Sequence, residues 1–338
     1  TDSWVRPASF TVGPDGNLYM IDMYRQHIET PLSIPADLQT TMDFNAGNKE
    51  GRIYRIVPKN AGAYKTETVN LRNTKTADLV NLLSHKNQWW RLQAQRLLLE
   101  RQDKSVIPAV KTLFVQSEDP RTRLHAMYVL EGMDALNAEI VKSATKDPAP
   151  GVREHAAIPS ERYPVLLPQL KAMTNDSSVR VAFQATLSLG EFKDKSVAPV
   201  LAKVLTNRGY SSWFRTAVLS SAAGSTPDFL KSLEQESFFN SNDSWRANFI
   251  EDLSNSIGNR NETSQNIDLL NFLSRPSLEK NPALQSASIK GLLKGLQRTE
   301  GSDDSVKEKL KGIEAESANN LQKAIQDLKQ LYSNSSKK

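Results

Sequence analysis

The sequence contains no cysteine among its 338 residues. Disulfides, thiolate catalysis, Cys-ligated zinc and c-type haem attachment are therefore excluded on this chain. No apolar run approaches the roughly 20 residues that span a bilayer, and no dense Lys/Arg block marks a nucleic-acid or lipid surface. The net charge of +5, from 43 basic and 38 acidic residues, is a mild excess spread along the chain. We therefore expect no nucleic-acid partner and no transmembrane segment.

Motifs that carry catalysis are also missing. The sequence has no G-x-S-x-G, no H-E-x-x-H and no phosphate-cradling glycine loop, so it offers no serine-hydrolase, zinc-protease or nucleotide signature. Its 15 glycines are mostly isolated at turns. We assign no catalytic residue and no metal ligand.

Residues 1 to about 70 have the pattern of a small β segment. An extended stretch leads to a tight turn at Gly13-Pro14-Asp15-Gly16, and a short strand follows. A polar insert, expected to be helical at about 24–50, precedes the strand "GRIYRIV", and "YKTETVNL" suggests one more strand. Three or four strands cannot bury both faces of a sheet. The segment therefore needs neighbours that this chain does not contain.

Residues 75–300 show a helical repeat. An arginine opens an amphipathic helix every 27 to 35 residues, and another apolar helix precedes each one. Such periodic helix pairs are typical of an α-solenoid, in which each pair buries its apolar face against the next. We predict a mostly α fold, with a HEAT-like solenoid of about six to seven helix pairs after the β segment. The repeat arginines are Arg91, Arg123, Arg153, Arg180, Arg215 and Arg246.

An acidic or amide residue precedes most of these arginines by three to six positions. Such a residue can cap the free amides of the helix, and the arginine can pair with it or with the acidic residue of the adjoining repeat. We interpret the two as a structural ladder rather than a ligand site. The residues are Asn87, Asp119, Asp147, Asp176 and Asp243.

Two adjacent tryptophans, Trp89 and Trp90, open the first repeat helix. They belong to two neighbouring apolar stripes, which a solenoid helix with several contact faces requires. Packing where the first repeat meets the β segment is the favoured interpretation. An exposed aromatic contact for a partner is the alternative.

The C-terminal region predicts one long amphipathic helix over 302–333 and a disordered tail over 334–338. Ser305 and Glu308 have capping-box spacing. We expect the helix to cap the open end of the solenoid, with a coiled-coil partner helix as the alternative.

The stretches "WVRPASFTVGPDGNLYMIDMY", "GRIYRIVPKNA" and "LLSHKNQWWRLQAQRLLLERQD" resemble the C-terminal part of the putative membrane-bound dehydrogenases of planctomycetes, verrucomicrobia and bacteroidetes. In that family a β-propeller similar to pyrroloquinoline-quinone (PQQ) sugar dehydrogenases precedes HEAT repeats. The resemblance covers residues 1–110. It implies that residues 1–70 are the last propeller blade of a larger, extracytoplasmic protein of a Gram-negative bacterium.

The same resemblance implies a cofactor-binding set in the blade. Its members are Arg6, Asp22, Tyr24 and Arg25, near His27. The arginines could pair with quinone carboxylates, or the set could satisfy the loop backbone, which we favour. We expect no cofactor on this chain alone, and PQQ and calcium only in the full-length protein. The missing blades, or another protein docked on the β segment or the solenoid, are the expected partners.

His125 and His155 each follow a repeat arginine by two residues. They could therefore meet on adjacent helices, but repeat periodicity explains the pair without a metal. Three functions remain open at this point. They are a non-catalytic protein-binding scaffold, which we favour, part of a PQQ-type sugar or alcohol dehydrogenase, and a carbohydrate- or surface-binding module.

Overall fold

The chain is mostly α-helical, with one small sheet near its N-terminus. A computed structural model describes residues 2–60, 69–222, 226–241, 243–260, 262–273, 275 and 281–300, together with four isolated positions, Glu308, Lys311, Gln326 and Gln330. These residues form fifteen α-helices and one three-stranded antiparallel sheet. The predicted fold class, a HEAT-like solenoid preceded by a small β segment, is confirmed. None of the described helices combines the length and the hydropathy needed to cross a membrane.

The chain divides into two compact units, Thr1–Leu136 and Asn137–Lys338. The first unit begins with strands β1 (Pro7–Val12), β2 (Leu18–Asp22) and β3 (Arg52–Ile56), in the order β1-β2-β3. The predicted turn at Gly13–Gly16 joins β1 to β2. It is closed by a hydrogen bond of 3.0 Å from the amide of Gly16 to the carbonyl of Gly13. Gly16 has a φ of +79°, a conformation that favours glycine. The insert before β3 contains a 3-10 turn at Pro31–Ser33 and one short α-helix, α1 (Ala36–Gln39).

Two helix pairs complete the first unit. They are α2 (Thr76–Leu82) with α3 (Gln88–Arg101), and α4 (Ile107–Gln116) with α5 (Pro120–Gly132). Their apolar residues recur at helical spacing and meet in one core, so that Leu79, Leu98, Val110 and Leu130 are fully buried.

The second unit contains five further pairs over its described residues. The same spacing of apolar residues builds its core, in which Leu170, Leu205, Phe229 and Phe249 are fully buried. The helices are α6 (Ala138–Ala144), α7 (Pro150–Ser160), α8 (Leu167–Met173), α9 (Val179–Ser188), α10 (Val197–Arg208), α11 (Ser212–Ser221), α12 (Thr226–Gln235), α13 (Ser244–Arg260), α14 (Thr263–Leu273) and α15 (Pro282–Glu300).

The repeat arginines stabilise the turns between paired helices. In α3, α5, α7 and α11 the arginine is the fourth helical residue, and its Nη1 donates to the backbone carbonyls six and five positions earlier. In α3, for example, Arg91 donates to His85 at 2.7 Å and to Lys86 at 2.9 Å. Arg153 also forms the expected ion pair with the next repeat, as its guanidinium binds Asp176 at 2.7 and 2.8 Å. The other arginines in this register are Arg123, Arg153 and Arg215.

The assignment of Arg180 to this repeat position is wrong. Arg180 is the second residue of α9, and its exposed guanidinium binds Glu154 at 2.9 Å instead of a turn carbonyl. The fourth residue of α9 is Ala182. The carbonyl six positions before it, that of Asp176, accepts from Arg208 of the next repeat at 3.3 Å. The uneven intervals on either side of Arg180, 27 and 35 residues, were the sequence signal of this shift.

Helices α13 and α15 pack backbone to backbone. Glycines remove the side chains that would separate them, since a Cβ atom on Gly291 or Gly295 would clash with the carbonyl oxygens of Glu251 and Asn255. Ser254 and Ser288 share a buried hydroxyl hydrogen bond of 2.7 Å across the same crossing. This crossing fixes the last described helix of the second unit.

Some predictions fall on residues that the structure does not describe. The capping helix over 302–333, apart from isolated positions, and the tail over 334–338 lie outside the described residues. Most of the suggested strand at 64–71 lies there too, and its described residues 69–71 are not in a strand.

Candidate functional site

The β-turn of the sheet is bound to the start of α3. Asn87 caps that helix, because its Oδ1 accepts from the amide of Trp89 at 2.9 Å. Its Nδ2 donates to the carbonyls of Gly13 at 2.9 Å and Pro14 at 3.1 Å. The indole Nε1 of Trp90 donates to the same Pro14 carbonyl at 2.9 Å. Three hydrogen bonds from Asn87 and Trp90 therefore tie the sheet to the first repeat.

The two tryptophans have different roles. Trp90 packs at this junction, with the ring of His85 at 5.6 Å and its indole nitrogen bound to the turn. Trp89 meets Trp90 edge to face, with ring centroids 5.1 Å apart and planes at 82°. The half-buried Trp89 lines an open groove instead.

This groove, which we call the α3 groove, runs between α3 and residues 69–72 and has a volume of about 540 Å³. Arg101, in the last turn of α3, fixes the opposite wall by donating to the carbonyls of Thr74 at 2.6 Å and Leu71 at 3.1 Å. Sequence patterns did not predict the groove, because its wall comes from a stretch without helical or strand periodicity. Its lining includes Leu71, Arg72, Trp89, Arg96, Leu97 and Arg101.

The sheet exposes apolar side chains on both faces. Register places Phe10, Met20 and Tyr54 on one face, and Ile21 and Ile53 on the other. Phe10 is 54% exposed and Ile53 is 69% exposed. Each face therefore presents exposed apolar residues in the described part of the chain, Phe10 on one face and Ile21 and Ile53 on the other.

The residues proposed to bind a cofactor lie together at the end of β2, where they mostly bind backbone groups. Asp22 is buried, and its Oδ1 accepts from the amides of Arg6 at 2.7 Å and Tyr24 at 2.8 Å. The guanidinium of Arg6 donates to the carbonyls of Ser3, Val5 and Gln26.

Two other atoms of this cluster do not form such hydrogen bonds to backbone groups among the described residues. Asp22 Oδ2 and Arg25 Nη1 are buried and have no hydrogen-bond partner among the described residues. Buried polar atoms of this kind require a partner. The set offers one carboxylate, however, whereas calcium takes six to eight oxygen ligands. This chain by itself therefore does not fit a calcium–quinone site.

His125 is held inside the first unit. Its Nδ1 lies 2.5 Å from Oε1 of Gln95 on α3. Burial, followed by the nearby charge of Arg91, lowers the pKa of His125, and Asp119 opposes the shift. Across the described residues, no three His, Asp or Glu side chains lie close enough to hold a metal ion.

Below about pH 6.5, the ordinary pKa of histidine, stability should fall because of His125. The folded chain has the lower pKa, so the unfolded chain binds more protons in this range and acid favours unfolding. His125→Gln should therefore weaken this pH dependence. Urea unfolding of both proteins between about pH 5 and 8 measures it, and a stability difference that stays constant with pH would contradict the assignment.

Comparison with known proteins gives one family model and matches among solved structures. The family described as "Domain of unknown function (DUF7133)" matches residues 1–60, a stretch that contains the whole three-stranded sheet. No curated protein matches. The structure of YibA from E. coli aligns with a TM-score of 0.42 at 14% identity, covering 79% of this chain and 99% of YibA. An engineered protein aligns with a TM-score of 0.22 at 14% identity, covering 77% of this chain and 96% of its own.

Proposed function

We propose that the chain is a HEAT-repeat scaffold, non-catalytic by itself, which holds its small sheet in place for docking against further β structure. One observation carries this proposal. The sheet exposes apolar side chains on both faces, yet three hydrogen bonds from Asn87 and Trp90 fix it to the first repeat.

The energetics favour a covering partner. A three-stranded sheet with two wet faces is marginal by itself, and burying one Phe or Ile side chain contributes about 1.5–3 kcal/mol. Phe10, Ile53 and Ile56 are all strongly exposed. Covering them would stabilise both the sheet and the complex.

The proposed cover is the remaining blades of a β-propeller. The resemblance to putative membrane-bound dehydrogenases supports this choice, and it makes the chain the C-terminal portion of a larger extracytoplasmic protein. The scaffold then presents the last blade to its neighbours in a fixed orientation.

Intact mass and sequencing of the native polypeptide test this proposal first. We expect further β-rich sequence, either in the same polypeptide or in a fragment that stays bound. Backbone hydrogen exchange in β1–β3 should then be slower in the native assembly than in the 338-residue chain.

A charged side chain on the sheet face should remove the slowing of hydrogen exchange in β1–β3. Ile53→Lys should restore fast exchange in the native assembly, because lysine cannot be buried there without a partner. Val115→Lys is the matched control, since Val115 is 75% exposed on α4, away from the sheet. A native polypeptide without further β structure, bound or covalent, would refute the proposal.

The buried atoms Asp22 Oδ2 and Arg25 Nη1 favour a second candidate, in which the blade contributes to a quinone site of the full-length protein. PQQ would then supply the redox chemistry, and these side chains would bind and orient polar groups beside it. Calcium-dependent quinone binding by the native polypeptide, lost in Arg25→Met, would support this candidate. Absence of such binding would leave the scaffold function alone.

A further inference from the structure

We propose that the α3 groove binds an acidic peptide segment that carries apolar side chains between its carboxylates. This site is separate from the exposed sheet faces, and its ligand does not depend on the proposed propeller.

The groove has an apolar floor with a fixed aromatic ring. Trp89 and Leu97 come from α3, and Leu71 faces them from the opposite wall. Trp90 holds Trp89 edge to face and is itself bound to the Pro14 carbonyl. The ring of Trp89 is therefore oriented before any ligand arrives, which lowers the entropy cost of binding.

The charges around this floor favour an anion. Three arginines, Arg72, Arg96 and Arg101, line the groove together with one acidic residue, Glu100. Arg96 binds Glu100 at 2.9 Å, but both side chains are more than half exposed, and such surface pairs contribute little. A ligand carboxylate can therefore bind Arg96 at low cost. Arg101 donates to backbone carbonyls of the wall, which are uncharged acceptors.

The shape favours a peptide over a small molecule. Small-molecule sites usually enclose about 70–90% of the ligand surface, whereas this groove is widely open to solvent. An extended chain can lie along such a groove, with apolar side chains on Trp89 and carboxylates on the rim. Aromatic and arginine side chains are also the residues that most often dominate binding energy at protein interfaces.

Fluorescence anisotropy of the full chain tests this site. The probe is a fluorescein-labelled, glutamate-rich peptide with interspersed leucines, and the control probe replaces each glutamate with lysine. We expect saturable binding of the acidic probe alone, and weakening as ionic strength rises. Trp89→Ala and Arg72→Glu should each weaken binding by about tenfold or more.

Arg72→Glu and one further variant, Trp213→Ala, separate effects on binding from effects on folding. Arg72 is an exposed residue, so Arg72→Glu reports on charge without disturbing the core. Trp213→Ala removes a tryptophan that is 73% exposed in the second unit and should leave the affinity unchanged. Equal binding of the two probes, or full affinity in both Trp89→Ala and Arg72→Glu, would overturn the proposal.

Discussion

Replacing Gly291 by alanine should destabilise the second unit by about 3 kcal/mol. The added methyl group would press on the carbonyl oxygen of Glu251, where α15 crosses α13. The methyl group has no rotamer to escape and the carbonyl belongs to the helix backbone, so the helices must separate to relieve the overlap. For a unit of about 200 residues, this loss lowers the melting temperature by roughly 6–12 °C, which thermal unfolding followed by circular dichroism will measure.

Gly151→Ala is the matched control for this change. A Cβ atom on Gly151 would meet nothing within 4 Å, and alanine favours helix over glycine. The control should leave stability unchanged or raise it by up to about 1 kcal/mol. Equal effects of the two substitutions would show that α13 and α15 do not pack through their backbones.

Trp90→Ala should release the sheet from the first repeat. The substitution removes a large ring between His85 and Trp89, together with the hydrogen bond to the Pro14 carbonyl. Truncating a packed tryptophan costs about 3–5 kcal/mol. Urea unfolding should show this loss, and hydrogen exchange should speed up in the turn at Gly13–Gly16 before it does in α4.

The control for this prediction is Trp213→Ala. Trp213 is 73% exposed on α11, so its removal should change stability by about 0.5 kcal/mol or less. Unchanged exchange in the turn of Trp90→Ala would mean that Asn87 alone holds the sheet.

The local features of the fold were predictable from the sequence. The turn at Gly13–Gly16 follows from its glycines and proline, whose backbone preferences are intrinsic. The repeat also follows, since an arginine after a turn recurs every 27 to 35 residues. Arg180 was assigned wrongly because the pattern records residue types but not helical register. Ala182 occupies the position that arginine fills in α3, α5, α7 and α11. An alanine gives no sequence signal that would mark this position.

Contacts between distant segments were not predictable. The sequence alone did not show that Gly258, Gly291 and Gly295 lie where α13 and α15 cross. A glycine inside a helix indicates close packing only when the facing helix is known. Trp89 and Trp90 could be assigned to packing as a pair, but not separately. Their difference depends on where the Pro14 carbonyl lies, a contact between residues 76 positions apart.

The arginines in the fourth position of α3, α5, α7 and α11 bind main-chain carbonyls of the preceding turn, and these contacts leave the residue types of the turn free to vary. Every residue type supplies a carbonyl, so any sequence at the two accepting positions satisfies the arginine equally. The turns before α3, α5, α7 and α11 accordingly contain His-Lys, Ser-Glu, Asp-Pro and Gly-Tyr at those positions. In these four repeats one guanidinium stabilises the turn whatever residue types the turn contains, so the four turns can acquire new surface chemistry without loss of the fold.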